Sequence, residues 1–394
     1  MGKSYTRESH LSHLECTKCK KSFSPTQIIR LCSCGSVIFP KYNLEDAKET
    51  INDLTNRKNN VWRFTEIMPV IDENYQLTLG EGNTPIIKLD NLGKKLSLKS
   101  LFLKDEGLNP TGTFKSRGLC TAVSKGIELG VTDFIIPTAG NAGVALAAYS
   151  AKGGKNITAH VYMPEDTPNF IQKEVKAYGA NLNLVKGLIT EAGKNVRDIV
   201  VKSGYFDVST LKEPYRVEGK KTMGIELLEQ LNWTIPDVII YPTGGGTGIV
   251  GMWKAFNELE ELGFISSERP RMISVQSSTC APIVKAFNEK KDNAEFWNDA
   301  TTNAPGLRVP SAIGDYLILQ SIKESKGCAI AIDDSTIKAN MKDLAKFEGI
   351  FQSMEGAATL AAVEPLINSN EIDKSDHIVL FGTGSGFIYP EHWF

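Results

Sequence analysis

Lys115 stands in the stretch NPTGTFKSRG (109–118), where Asn109, Pro110 and Gly112 favour a turn and the lysine falls in the first turn of an amphipathic helix. Between Phe114 and an apolar helix face its ammonium would be partly desolvated, which favours the neutral, nucleophilic amine. A second turn, in PTAGNAG, runs from a strand through Thr138, Ala139 and Gly140 to Asn141 at a helix start. Backbone N–H groups there form a nest for a carboxylate, and Asn141 adds a side-chain amide. A third turn, in YPTGGGTG, sets Gly244, Gly245, Gly246, Thr247 and Gly248 between a buried strand and a helix, with bare amides and a helix dipole to cradle a phosphate. A fourth, FGTGSG, offers the hydroxyl of Thr383 or Ser385 at the end of a strand. Each turn alone also reads as an ordinary loop.

Taken together, a lysine, a carboxylate nest, a phosphate nest and a neutral hydroxyl suit a phosphorylated pyridine aldehyde, pyridoxal 5'-phosphate. The rival reading is a dinucleotide, since Gly246, Gly248 and Gly251 match the G-x-G-x-x-G fingerprint. That fingerprint needs an acid at the end of the next strand to hold the ribose. The next strand, RMISVQSS, ends in Gln276 and Ser277.

A second chemistry sits near the N-terminus. Cys16-x-x-Cys19 and Cys32-x-Cys34-Gly35 are two close pairs that can supply four thiolates to one tetrahedral zinc, Gly35 permitting a tight knuckle. The alternative is a set of reduced thiols without metal. The other three cysteines, Cys120, Cys280 and Cys328, are scattered through core-like segments, which points to a reducing compartment, the cytoplasm. With 44 Lys and Arg against 46 Asp and Glu, the chain has no general attraction for nucleic acid or anionic membrane. The leading MGKSYTRESHLSHLEC is not a signal segment, and no apolar run is long enough for a membrane span.

The elements that must position these residues alternate. SLFLKDE (100–106), DFIIPT, ITAHVYMP, NLNLVKG, DVIIYP, RMISVQ and HIVLFG read as buried strands. Helical segments lie between them, among them 114–130, NAGVALAAYSAKGG and NFIQKEVKAYG. Apolar β-branched runs spaced by helices imply parallel sheet covered on both faces, an α/β chain of more than one domain.

The motifs EGNTP (81–85), KDEGLNPTGTFKSRG (104–118), TAGNAG and YRVEGKKT (215–222) resemble those of the fold type II pyridoxal-phosphate enzymes, and within them the threonine synthases, over residues 77 to 390. The resemblance implies a two-domain, tryptophan synthase β-like α/β fold with the four-cysteine, zinc-ribbon-like segment (1–44) as an appendage. It implies a small domain over 112–212 and a large one from 45–111 and 213–394, with the cofactor in the cleft. It gives Lys115 the Schiff base, Asn141 the pyridine O3′, residues 244–248 the cofactor phosphate and Thr383 the pyridine nitrogen. Thr138, Ala139 and Gly140 would hold the substrate carboxylate, and Arg216, or less directly Lys212, its phosphate. The implied assembly is a homodimer.

Departures from the pattern limit the substrate assignment. Ser116 follows the lysine where threonine synthases usually have Asp, and TGGGTG stands for their GNAGN. Leu211, Lys212 and Glu213 replace the polar residues before the arginine, and Glu213 would repel a phosphate. Ala142 stands where dehydratases usually have His. The expected activity is conversion of O-phospho-L-homoserine and water to L-threonine and phosphate. The alternatives are a threonine or serine dehydratase, another β-replacing enzyme of the same fold, and, from another class, a nucleic-acid-binding ribbon on a degenerate enzyme body.

Overall fold

The computed structural model describes residues 8–51, 54, 56–187 and 189–393. It divides into two compact units. The first comprises Met1–Asn83, Lys115–Met223 and Asn257–Phe264, and the second Thr84–Phe114, Gly224–Phe256 and Ile265–Phe394.

The first unit holds two sheets. In the ribbon, strand Leu11–Cys16 lies between Ser22–Phe23 and Ile38–Tyr42, all antiparallel. The second sheet is parallel and runs Asn181–Val185, Thr158–Pro164, Asp133–Pro137, Phe206–Asp207. Helices Lys115–Glu128, Asn141–Gly153, Asn169–Ala177 and Ile189–Ser203 complete it. Helix Ile189–Ser203 turns Val196 and Val200 onto Ile135, and Gly126 leaves room for the Phe134 ring, which a Cβ there would meet at 2.4 Å.

The second unit is built on a six-stranded sheet in the order Ala329–Ile332, Arg271–Ser277, Val238–Pro242, His377–Gly382, Ser100–Asp105, Ile86–Lys88. The first five strands are parallel and Ile86–Lys88 runs antiparallel at the edge. Every residue of Val238–Pro242 is buried, as a central parallel strand covered on both faces requires. Val238, Ile240, Ile273, Val275, Ile378 and Leu380 form the heart of its core.

The strands read from the sequence are all present, and the expectation of a wholly parallel sheet holds only for the first unit's second sheet. Three short strands, Ile86–Lys88, Phe206–Asp207 and Ala329–Ile332, have no clear signature because a few residues cannot display a period. Residues 45–83 pack with the first unit rather than with 84–111. A buried Arg57–Glu66 pair at 2.7 Å, His10 N donating to Glu66 O at 2.9 Å and Lys221 Nζ donating to Ile67 O at 2.5 Å hold them there. Among the described residues no helix is long and apolar enough to cross a membrane.

Candidate active site and metal centre

The turn that precedes Lys115 belongs to the second unit and is stitched within it. Glu106, fully buried, accepts from Thr84 Oγ1 at 2.7 Å and from Asn109 Nδ2 at 2.9 Å, which joins the EGNTP and KDEGLNP motifs. Gly112, with φ +67°, returns the chain toward the turn after strand His377–Gly382. There Ser385 N donates to Gly112 O at 2.8 Å and Phe114 N donates to Thr383 O at 3.1 Å. Thr383 is 5% exposed, so its hydroxyl belongs to the interior. Phe114, covalently next to Lys115, sets its ring edge-on to Tyr241 at 6.2 Å.

Tyr241 belongs to the strand that feeds the glycine turn, and three glycines of that turn have no room for a side chain. A Cβ on Gly244 would lie 2.1 Å from Gly306 O, one on Gly246 2.2 Å from Ile318 Cδ1, and one on Gly248 1.8 Å from Tyr241 Oη. Gly246 also has φ +81°. Packing from behind therefore leaves backbone N–H groups as the turn's chemistry, at the start of helix Thr247–Glu261 where the first amides have no intrahelical acceptor. This is a cradle that fits a phosphate monoester. Farther along that helix the buried Trp253 indole donates to Glu324 at 2.7 Å.

Two supports here escaped the sequence reading. Glu355 Oε1 accepts from Gly306 N at 2.7 Å, holding the backbone that abuts Gly244. Gln352 Nε2 donates to Asp105 Oδ1 at 2.6 Å beside Gly382, and burial raises the Asp105 carboxyl. Neither shows in a single sequence, since Gln and Glu at a helix start look like solvated residues.

In the first unit, Lys115 opens helix Lys115–Glu128 and is half-buried. That helix meets helix Arg216–Gln230 through a pair of glycines. A Cβ on Gly219 would stand 2.1 Å from Arg117 O, and one on Gly118 2.8 Å from Arg216 O. The FKSRG and YRVEGKKT motifs thus describe two faces of one helix crossing, and they bring Arg216 to the first turns of the Lys115 helix. Arg216 is 1% exposed; its Nη1 donates to Val208 O at 2.6 Å and reaches Thr210 Oγ1 at 3.5 Å. Its Nε and Nη2 are buried with no hydrogen-bond partner among the described residues. Burial lowers the guanidinium pKa, with Glu213 and Asp207 opposing.

Glu213 is not poised as a bare repelling charge. Its carboxylate accepts from Tyr215 N at 2.6 Å and Arg216 N at 3.1 Å, at the start of helix Arg216–Gln230, and burial pushes its pKa up to about 7. Lys212 faces Asp207 at 3.9 Å instead of joining Arg216.

The turn before helix Asn141–Gly153 is tightly wound. Thr138 Oγ1 accepts from Gly140 N at 3.0 Å, Gly140 takes φ +146°, and helix Asn141–Gly153 begins directly after it. Ala139 connects the two. The amides of Asn141 and Ala142 fall in the first helical turn, free of intrahelical acceptors.

The four ribbon cysteines converge, with all Sγ atoms within 4.8 Å of one another. Cys16 lies 3.5 Å from Cys34, and Cys19 3.5 Å from Cys32. The second knuckle closes through Gly35 N to Cys32 O at 2.8 Å, with Gly35 at φ +82°. Hydrogen bonds from the Ser36 side chain and backbone bring Cys34 down to about 6. Cys19, despite a lowering hydrogen bond from Lys21, is pushed up to about 11 by hydrogen bonds with Cys16 and Cys32. Such a cluster favours one or two thiolates by itself and needs a divalent cation to ionise all four. Tetrahedral zinc fits the donor set.

These features define a class. Residues 77–384 match the model of the family described as pyridoxal-phosphate dependent enzymes, and the chain belongs to that family. It is 35% identical over 379 residues to a threonine synthase of Methanocaldococcus jannaschii, covering 95% of this chain and 93% of that one. To a threonine synthase of Methanosarcina acetivorans it is 32% identical over 94% and 91% of the two chains. Among solved structures, maize serine racemase superposes with a TM-score of 0.68 at 22% identity, over 79% of this chain and 90% of that one. A processed threonine deaminase from Solanum lycopersicum gives 0.64 at 21% identity, over 77% and 83%. These neighbours establish the fold type II α/β architecture, whatever their individual reactions.

Proposed function

We propose that the chain is a carbon–oxygen lyase that converts O-phospho-L-homoserine and water to L-threonine and phosphate. The observation that carries this reading is Arg216, an interior guanidinium with two unpartnered nitrogens. A dehydratase acting on free threonine or serine has one phosphate to hold, that of its cofactor. This chain has the glycine turn for that phosphate and a separate cation beside the Lys115 helix, which matches a substrate bearing a phosphate of its own. The threonine synthases among its relatives agree with that requirement, and Ala142 in place of a dehydratase His points the same way.

In this reading the Lys115 amine holds the cofactor covalently, residues 244–248 cradle its phosphate, Asn141 meets the ring oxygen and Thr383 the ring nitrogen. Bound there, pyridoxal phosphate supplies an electron sink for negative charge on the substrate carbons. A hydroxyl at the ring nitrogen, unlike a carboxylate, leaves that nitrogen unprotonated. Thr138, Ala139 and Gly140 orient the substrate carboxylate. Once substrate has taken its place, the Lys115 amine is free to take a proton from one substrate carbon and return it to another. Arg216 binds the phosphate and stabilises the charge that builds on it as its carbon–oxygen bond breaks. The expected compartment is the cytoplasm and the expected assembly a homodimer.

The test is the absorbance of the purified protein with pyridoxal phosphate, recorded with O-phospho-L-homoserine and, separately, with threonine or serine. A visible band perturbed by phospho-homoserine with phosphate release supports the assignment. A band that ignores phospho-homoserine while threonine or serine yields a 2-oxo acid replaces it with the dehydratase.

A further inference from the structure

The helix that carries Arg216 is tied to the cysteine ribbon. Glu218, two residues beyond Arg216 on the same helix, is 0% exposed. Its carboxylate accepts from the Tyr42 hydroxyl at 2.8 Å and pairs with the Lys221 ammonium at 2.7 Å. Lys221, equally buried, also pairs with Glu258 at 2.7 Å, donates to Ile67 O at 2.5 Å, and stands 4.3 Å from the centre of the Tyr42 ring. Tyr42 ends ribbon strand Ile38–Tyr42, and the other end of that strand, Ile38, pairs with Cys16. One five-residue strand therefore runs from the thiol cluster to the helix that carries Arg216.

In so buried a site each hydrogen bond to the Glu218 carboxylate is strengthened by the low local dielectric. Burial, reinforced by the charges of Glu218 and Glu258, keeps the Tyr42 phenol protonated and able to donate. A ribbon that served only as a cover would meet the body through apolar contacts. This one places a hydroxyl on the only carboxylate that lies in the first turn after Arg216 among the described residues.

We propose that Tyr42 is a positioning residue for Arg216, the ribbon acting as a clasp that holds the start of helix Arg216–Gln230 where its guanidinium meets the substrate phosphate. The inference rests on the anion-binding reading of Arg216. Opening the ribbon at its thiols slackens the strand, and with it the helix start, some distance from any reacting atom.

The experiment uses the holoenzyme, its cofactor site filled, with inorganic phosphate as the probe and O-phospho-L-homoserine as substrate. For Tyr42→Phe the expected result is a rise of roughly three- to tenfold in the phosphate Kd and in KM, the scale of a charge-assisted hydrogen bond lost at one remove. The kcat and the cofactor band stay unchanged, and backbone amides of 216–222 exchange faster with deuterium. Cys34→Ser, at an exposed corner of the ribbon, asks the same question should Tyr42→Phe fail to fold, and a weaker phosphate affinity again supports the clasp. If these variants keep wild-type KM and phosphate affinity while Arg216→Gln abolishes phosphate binding, the clasp is wrong and the role of Arg216 stands. If Arg216→Gln binds phosphate like the wild type, the reading beneath the clasp falls with it.

Discussion

An arginine that leaves two nitrogens unpartnered in the interior is unfavourable for the fold by itself, by about 1–3 kcal/mol for each unmet donor. Arg216→Gln is therefore expected to leave the melting temperature equal or higher while KM for phospho-homoserine rises by about thirtyfold or more, the scale of a buried charge pair losing one member. Calorimetry and steady-state kinetics on one preparation check both. Glu213 gives a pH signature. Burial lifts its pKa from 4.5 to about 7, so between those values the folded chain keeps a proton that the unfolded chain has released. Its contribution to stability is fullest below the lower value and falls as pH rises through the window. Subtracting the Glu213→Gln melting curve from that of the wild type, pH by pH, is expected to expose that decline, and a flat difference would refute it. At this scale the turns before Lys115 and Asn141 and the convergence of the cysteines were legible, because they are marked by Gly, Pro and close spacing. The capping role of Glu213 and the pairing of Lys212 with Asp207 were not, because both depend on contacts made only in the fold.

Elements meet here through absent side chains. Gly219→Ala would push a methyl to 2.1 Å from a backbone oxygen that cannot swing away, forcing the two motif helices apart. A loss of about 1–3 kcal/mol is expected, with activity lost alongside, and denaturant melts measure it. Gly248→Ala differs, since the obstacle is the Tyr241 hydroxyl at 1.8 Å. The Tyr241 ring carbon Cζ stands at 2.2 Å as well, so that variant is expected to shift the turn and to retain pyridoxal phosphate poorly in a binding titration. The long strands could be read because a continuous β-branched run between two helices packs well only as a strand buried on both faces. The antiparallel edge Ile86–Lys88 could not, because what orders it is pairing with Ser100–Asp105 and the buried Glu106 beneath Thr84.

Across the molecule, the near balance of charge and the placement of cysteines make separate claims. A net charge of -2 predicts that the protein passes unretained over immobilised nucleic acid even at low salt, which a column experiment decides. Four thiols within one coordination sphere predict one zinc per chain by elemental analysis, released with loss of ribbon order by a strong chelator. The class of enzyme was readable from sequence because its motifs are distributed along the chain in order, each carrying one part of the chemistry. The division into units was not. The segment between the ribbon and the EGNTP motif carries no motif of its own and is held by a buried ion pair and by hydrogen bonds to distant backbone.

The helix that opens at the glycine turn carries Trp253 six residues beyond Thr247, about 9 Å along the axis at an α-helical rise of about 1.5 Å per residue. That indole is screened from water and held by Glu324. A pyridine chromophore anchored at the turn lies well inside the range of resonance energy transfer from such an emitter. On the proposed placement of the cofactor, the chain carries an optical gauge of its own, and dimming of tryptophan emission on adding pyridoxal phosphate would report occupancy of the glycine turn without any added label.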